Sequence, residues 1–247
     1  MLSNTNWLLC LLLLLPMPLH AETIRVAVAS NFSHAMQAIS DQFEQQTGHS
    51  VDLIFGSTGK IYAQILNGAP FDAFFAADTE RPERLESEKR IQPGSRFSYA
   101  LGQLVLWSPD ETLIDSKGSI LLDGGFRHLA IANPRLAPYG KAAQQTLEAR
   151  GVWQQWQDKI VRGENISQTF QYIISGNAEL GLIARSQLPS LEERRQGSYW
   201  LVPASLYQPI EQQAVQLTDK AAASELMAFI KSEAAWPLIE DFGYLQP

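Results

Sequence analysis

Residues 24–29 (IRVAVA) form a short apolar run rich in β-branched side chains, the pattern of a buried strand. In the segment after it, Met36, Ile39 and Phe43 recur at helical spacing, and Gly48 closes the helix. Residues 51–55 predict a second strand, ended by Gly56-Ser57-Thr58-Gly59, residues 60–66 a helix and residues 71–76 a third strand. Strand, helix, strand, helix, strand in that order implies a parallel sheet flanked by helices. Residues 82–89 continue as a charged, solvated helix and residues 101–107 as a strand. A second α/β unit then begins, with strands at 129–132 and 181–184 and helices at 141–150 and 167–175. A strand at 214–217, a helix at 221–231 and a short helix near Trp236 complete the pattern. With no internal repeat and no low-complexity linker, two α/β lobes sharing one chain are the natural reading.

The first residues read differently. Residues 7–19 (WLLCLLLLLPMPL) are apolar but short for a bilayer span and are broken by Pro16 and Pro18. Ala21 is the small residue wanted before a cleavage point, so residues 1–21 predict a signal peptide cut before Glu22. The leading MLSNTN has no Lys or Arg, and the alternative is an uncleaved membrane anchor. Cys10, the one cysteine, lies inside this segment. The mature chain is then free of cysteine, which excludes disulfides, thiolate zinc sites and cysteine nucleophiles.

Composition narrows the partners. The 247 residues are 45% hydrophobic and 18% charged, with 16 Gly and 13 Pro, which fits neither collagen nor a disordered tract. A net charge of -7 and the lack of a basic block argue against a nucleic-acid partner.

The chemistry gathers where strands give way to helices: Ser30-Asn31, Ser57-Thr58, Pro138-Tyr139-Gly140 and Asn165-Ile166-Ser167. Each is a helix N-terminus with small polar residues and free N–H donors, a ready anion site. Taken singly, such residues are ordinary helix caps. If two lobes face each other across a cleft, all four turns converge at the carboxyl ends of the strands, where open α/β sheets bind ligands. Sharper motifs fail. Gly56 to Lys60 suggests a P-loop, but Ile54 and Ile61 stand where Gly and Ser or Thr are needed. His34, His49 and His128 lack metal-ligand spacing, and no G-x-S-x-G elbow is present. Asp72 and Asp78 could be imagined as a carboxylate pair, although Asp78 reads as the N-cap of the next helix. Trp153 and Trp156, three apart on a helix, are read as packing residues.

Four segments in order carry a resemblance across the mature chain: VAVASNFSHAM at 26–36, FGSTGKIYAQILNGAPFDAFFAAD at 55–78, ANPRLAPYGKAA at 132–143 and GENISQTFQYIISGNAELGLI at 163–183. The chain resembles the periplasmic molybdate-binding proteins that deliver substrate to ABC transporters. That resemblance implies an α/β, two-lobe periplasmic binding protein fold of type II, with mixed sheets flanked by helices and a ligand cleft between the lobes. Lobe 1 is expected over residues 22–101 and 210–247 and lobe 2 over residues 102–209. Carried over by position, the ligand groups fall on Ser30, Asn31, Ser57, Tyr139 and Ile166. Ser30 and Ser57 would donate hydroxyl and backbone hydrogen bonds with Asn31 assisting, Tyr139 its phenol and Ile166 its backbone N–H. One branch of the family places a ligand Tyr where this chain has Ala184, so the chain looks like the branch that uses the Tyr of the APYG turn.

Molybdate and tungstate carry no proton at neutral pH, so every ligand oxygen accepts and the site should hold only donors. The implied role is extracytoplasmic capture of molybdate, with tungstate, and delivery to an inner-membrane ABC permease. A periplasmic monomer is expected, with no resident cofactor, bare metal ion, catalysis or nucleic acid. The alternatives are a binder of another tetrahedral oxyanion such as sulfate, or an exported phosphatase-like or esterase-like enzyme with Ser57 as nucleophile.

Overall fold

Alternating strands and helices wind the chain into two mixed sheets. The computed structural model describes residues 21–188 and 197–247; the expected leader, with Cys10, lies outside them except for Ala21. The chain opens with β1 (Thr23–Ala29), a tight 3-10 turn at Ser30–Phe32, α1 (Ser33–Thr47), β2 (Ser50–Gly56), α2 (Thr58–Leu66), β3 (Ala73–Phe75), α3 (Glu80–Ser87) and β4 (Phe97–Gly102). It continues with β5 (Leu104–Ser108), α4 (Ile120–Asp123), β6 (Leu129–Ala132), α5 (Pro138–Ala149), β7 (Ile160–Gly163), α6 (Ile166–Ile174), β8 (Leu180–Ala184) and β9 (Ser198–Leu201). It ends with β10 (Ile210–Gln216), α7 (Ala221–Lys231) and α8 (Trp236–Glu240).

The first sheet has the order β2-β1-β3-β10-β4, and the second β7-β6-β8-β5-β9. In the first, β1 runs parallel to β2 and β3, while β10 is antiparallel to β3 and β4. The second repeats this design, with β6 parallel to β7 and β8, and β5 antiparallel to β8 and β9. The strands at the sheet centres are buried on both faces, which explains why they read as unbroken apolar runs rather than alternating ones. In the first sheet's core Phe32 packs against Tyr99 and Tyr244 at centroid distances of 4.7 and 5.3 Å. Full burial of such a ring contributes roughly 1.5–3 kcal/mol and pins the turn that carries Ser30 and Asn31.

Three features depart from the sequence reading. The strand expected over 101–107 is two strands in different sheets: β4 ends at Gly102, β5 starts at Leu104, and Gln103 alone carries the chain across. The trace in the sequence is Gly102-Gln103, which reads equally as a bulge within one strand. The short α4 and the edge strands β7 and β9 were not expected; β7 is only half-buried and α4 spans one turn, so neither writes a clear periodicity. Trp153 and Trp156 lie in turns before the 3-10 segment Gln157–Lys159, not on a helix. Trp156 is nonetheless buried, with its Nε1–H donating to the Leu121 carbonyl at 2.8 Å.

Candidate functional site

The turns that follow β1 and β2 in one lobe meet the N-termini of α5 and α6 in the other. Ser30, Asn31, Ser57, Tyr139 and Ile166 all line one small cavity, together with Ala29, Gly56, Thr58, Ala77, Ala137 and Pro138. Its volume is about 10 Å³, roughly one water-sized sphere and far below the ~300–1,000 Å³ of sites for drug-sized molecules. All five expected residues are buried, none more than 4% exposed. The lining contains no Asp, Glu, Lys, Arg or His.

The donors are set by how each helix begins. Ser57 occupies the N-cap of α2, yet its side chain makes no capping bond. Its Oγ is buried without a hydrogen-bond partner among the described residues. An orphaned buried hydroxyl costs about 1–3 kcal/mol, so this serine is not placed for helix stability. Pro138 begins α5, where its fixed φ and missing N–H suit the first turn, and Tyr139 follows it into the cavity. The Tyr139 Oη is likewise buried and without a partner among the described residues. Burial lifts its phenol well above the usual tyrosine range, and the neighbouring Tyr244, Tyr99 and Tyr207 push the same way while the Gln212 amide opposes. Tyr139 is thus a proton donor throughout the physiological range. Ile166 starts α6 behind Asn165, whose side chain accepts from the Gln168 N–H at 2.9 Å in an ordinary cap. Ile166 therefore offers only a first-turn backbone N–H.

Asn31, expected to assist, lines the cavity with its side chain already engaged. Its Nδ2 donates to Gln212 Oε1 at 2.7 Å and to Tyr244 Oη at 3.1 Å, which uses both amide hydrogens. The side chain is an anchor, and what it leaves for a ligand is the backbone N–H. This anchoring set, with Tyr99 and Ser186, was missed in the sequence because its members are scattered through β4, β10, the turn after β8 and the C-terminal loop. The one local trace is Gln212-Gln213, two glutamines buried in a strand.

The lobes touch around the cavity. Gly59 N–H donates to the Leu136 carbonyl at 2.8 Å. Ser167 Oγ and Ser186 Oγ donate to the carbonyls of Ser30 and Asn31 at 3.2 and 2.8 Å. At the rim, Lys60 Nζ pairs with Glu164 Oε1 at 2.7 Å, both side chains about half exposed. Lys60 is therefore turned to the opposite lobe and away from a role as a base for Ser57. A larger groove alongside, about 560 Å³, is lined by Asp78, Glu80, Arg81, Arg135, Lys141 and Glu211 among others, and its carboxylates set it apart from the all-donor cavity.

The two aspartates considered as a pair have separate tasks. Asp72 accepts from the Arg25 N–H, Thr218 and Lys220 at 2.8, 2.8 and 3.0 Å, tying β1 to the segment before α7. For Asp78, expected at the N-cap of α3, the structure puts Thr79 there; one residue earlier, Asp78 Oδ1 accepts from the Arg81 N–H at 3.2 Å, and its other oxygen holds the Arg81 guanidinium. Burial raises its carboxyl above the usual range, with Arg81 opposing.

The family model described as bacterial extracellular solute-binding protein matches residues 24–245. The chain is 47% identical to the molybdate-binding protein ModA of Azotobacter vinelandii over 91% of this chain and 90% of that protein. It is 41% identical to the molybdate-binding protein ModA of Rhodobacter capsulatus over 96% of this chain and 94% of that one. Among solved structures, the Azotobacter vinelandii periplasmic molybdate-binding protein superposes with a TM-score of 0.88 at 41% identity, covering 91% of this chain and 99% of that chain.

Proposed function

Because the chain belongs to the bacterial extracellular solute-binding proteins, among those that bind molybdate, we propose that it captures molybdate, and tungstate by the same chemistry, in the periplasm and delivers it to an ABC permease without chemical change. Among the described residues no helix is long and apolar enough to cross a membrane.

The observation that carries this reading is a cavity lined without Asp, Glu, His, Lys or Arg and holding two buried hydroxyls, Ser57 Oγ and Tyr139 Oη, that have no partner among the described residues. A fully deprotonated tetrahedral oxyanion supplies acceptors in every direction. Each charge-assisted hydrogen bond contributes ~1.5–3 kcal/mol, and each helix N-terminus adds ~0.3–1 kcal/mol or somewhat more when buried. Roughly six such donors exceed the ~8–12 kcal/mol of a micromolar to nanomolar binder, leaving a margin for desolvation and closure. No cationic side chain is needed, so a net charge of -7 is compatible with an anionic ligand. Catalysis by Ser57 is disfavoured, since its Oγ has no base within hydrogen-bond reach.

Calorimetric titration of the mature chain with molybdate, tungstate, sulfate and phosphate tests the reading. Saturable 1:1 binding of the two metal oxyanions at micromolar affinity or better supports it. Preference for sulfate, or no heat with any of the four, overturns it.

A further inference from the structure

One buried polar group at the site has no task in the reading above: the amide nitrogen of Gln212, a fully buried residue of β10. Its Oε1 accepts from Asn31 Nδ2 at 2.7 Å and from Tyr99 Oη at 3.1 Å. Asn31 Nδ2 can only donate, so that contact fixes the amide oxygen toward it and turns Nε2 to the opposite side; the Tyr99 hydroxyl, 3.1 Å also from the Ala76 carbonyl, has one proton between the two acceptors. There lies Tyr139: a Cβ built on Gly102 would collide with Tyr139 Oη and stand 2.9 Å from Gln212 Nε2, so the two atoms flank the same glycine. Neither atom has any hydrogen-bond partner among the described residues, so both are open to one.

We propose that Gln212 is a positioning residue for the anion site, its Nε2–H supplying the one donor that Tyr139 Oη can accept from. A phenol both donates and accepts, and unassisted it can turn its proton either way. With its oxygen facing an amide N–H, the phenol proton has one productive direction, into the cavity. Gly102 is required for this approach, because any side chain there would separate the two groups. β10 lies in the first sheet and Tyr139 in the second lobe, so the proposed bond, not yet made in this arrangement, requires the lobes to tighten on the ligand and couples closure to orientation of the donor. This inference rests on Tyr139 being a ligand group.

A double-mutant cycle in molybdate affinity, measured by calorimetry, tests it. Gln212→Met keeps the length and burial of the side chain but deletes the amide; it is expected to weaken binding about five- to tenfold, the range of one ordinary hydrogen bond. Tyr139→Phe is expected to weaken binding by tenfold or more. In the Tyr139→Phe background the further loss from Gln212→Met should shrink to less than twofold, because the group it orients is gone. Equal losses in both backgrounds would mean that Gln212 serves only to hold Asn31 and Tyr99, and would overturn the proposal. Tighter binding by Gln212→Met would overturn it too, since it would mean that the amide oxygen faces Tyr139 and takes its proton. If Gln212→Met does not fold, Gln212→Leu, likewise uncharged and without the amide, replaces it in the same cycle with the same criteria. No effect of Tyr139→Phe alone would instead refute the assignment of Tyr139 to the site.

Discussion

Ser57 stands where a helix cap belongs and caps nothing, and that contrast gives a substitution whose effects on stability and binding have opposite signs. An N-cap serine replaced by alanine ordinarily costs ~0.5–2 kcal/mol of stability. Here no capping bond exists to lose. The hydroxyl is buried and unpartnered among the described residues, and deleting such a group removes an unfavourable ~1–3 kcal/mol wherever water does not reach it. Opening of the lobes hydrates the site and reduces that gain. Ser57→Ala without ligand should therefore be as stable as the parent or up to ~1 kcal/mol more so. Binding should move the other way: loss of one hydrogen bond to a charged acceptor is ~1.5–3 kcal/mol, roughly 10- to 150-fold in Kd. Urea unfolding without ligand gives the first quantity through the midpoint at constant slope, and molybdate calorimetry gives the second. A loss of ~1 kcal/mol in ligand-free stability with unchanged affinity would mean that Ser57 is an ordinary cap, and the case for an anion site would lose its best support.

Gly59 donates across the cleft to Leu136, and a Cβ there would stand 3.0 Å from the Leu136 carbonyl oxygen and 3.1 Å from its Cα. Gly59→Val should therefore hinder closure and weaken molybdate binding by tenfold or more with little change in ligand-free stability, and small-angle scattering should show no compaction on adding molybdate; normal compaction would refute the close approach. Lys60→Ala removes an exposed pair worth ~0–1 kcal/mol, so affinity should fall less than fivefold and the difference should vanish in high salt; a larger loss that persists in salt would place Lys60 on the ligand. Asp72 reports on acid stability. Burial alone would raise its carboxyl, but the Arg25 N–H, Lys220 and Thr218 outweigh it and hold the value below the usual range. A folded-state value below the unfolded ~3.9 adds stability above that pH and loses it as pH falls through the lower value. Unfolding midpoints should therefore drop below about pH 4, and Asp72→Asn should be less stable near neutrality with a flatter acid limb; an unchanged limb would assign acid sensitivity elsewhere.

Much of the fold was legible because the central strands are short apolar runs bounded by glycine and polar turns, and the helices between them repeat with helical period. What failed to register shares one physical cause: it depends on contacts distant in sequence. The change of sheet at Gln103 leaves only Gly102-Gln103 as a trace in LGQLVLW, which reads equally as a bulge within one strand. Asn31 was expected only to assist the serines of the first lobe, and its amide is claimed by partners 181 and 213 residues away. No local pattern reports that competition, and Gln212 and Tyr244 could not have been singled out without it.

The turns themselves show where a sequence signature stops discriminating. Ser57 and Asn165 are both small polar residues placed just before a helix, and propensity treats them alike. The structure separates them: Asn165 accepts from the Gln168 N–H and completes its cap, whereas the helix starts at Ser30, Ser57 and Pro138 have no side-chain cap. Those three uncapped starts all border the same cavity. Helix N–H groups left unsatisfied at one end are costly in isolation, and gathering several around one small space concentrates positive potential there without any net charge. A donor-lined hollow of this kind is unfavourable as structure and favourable as a receptacle for an anion; α1, α3, α4, α7 and α8 also begin without a side-chain cap, so it is the convergence of the starts at Ser30, Ser57, Pro138 and Ile166 on one cavity that distinguishes the site.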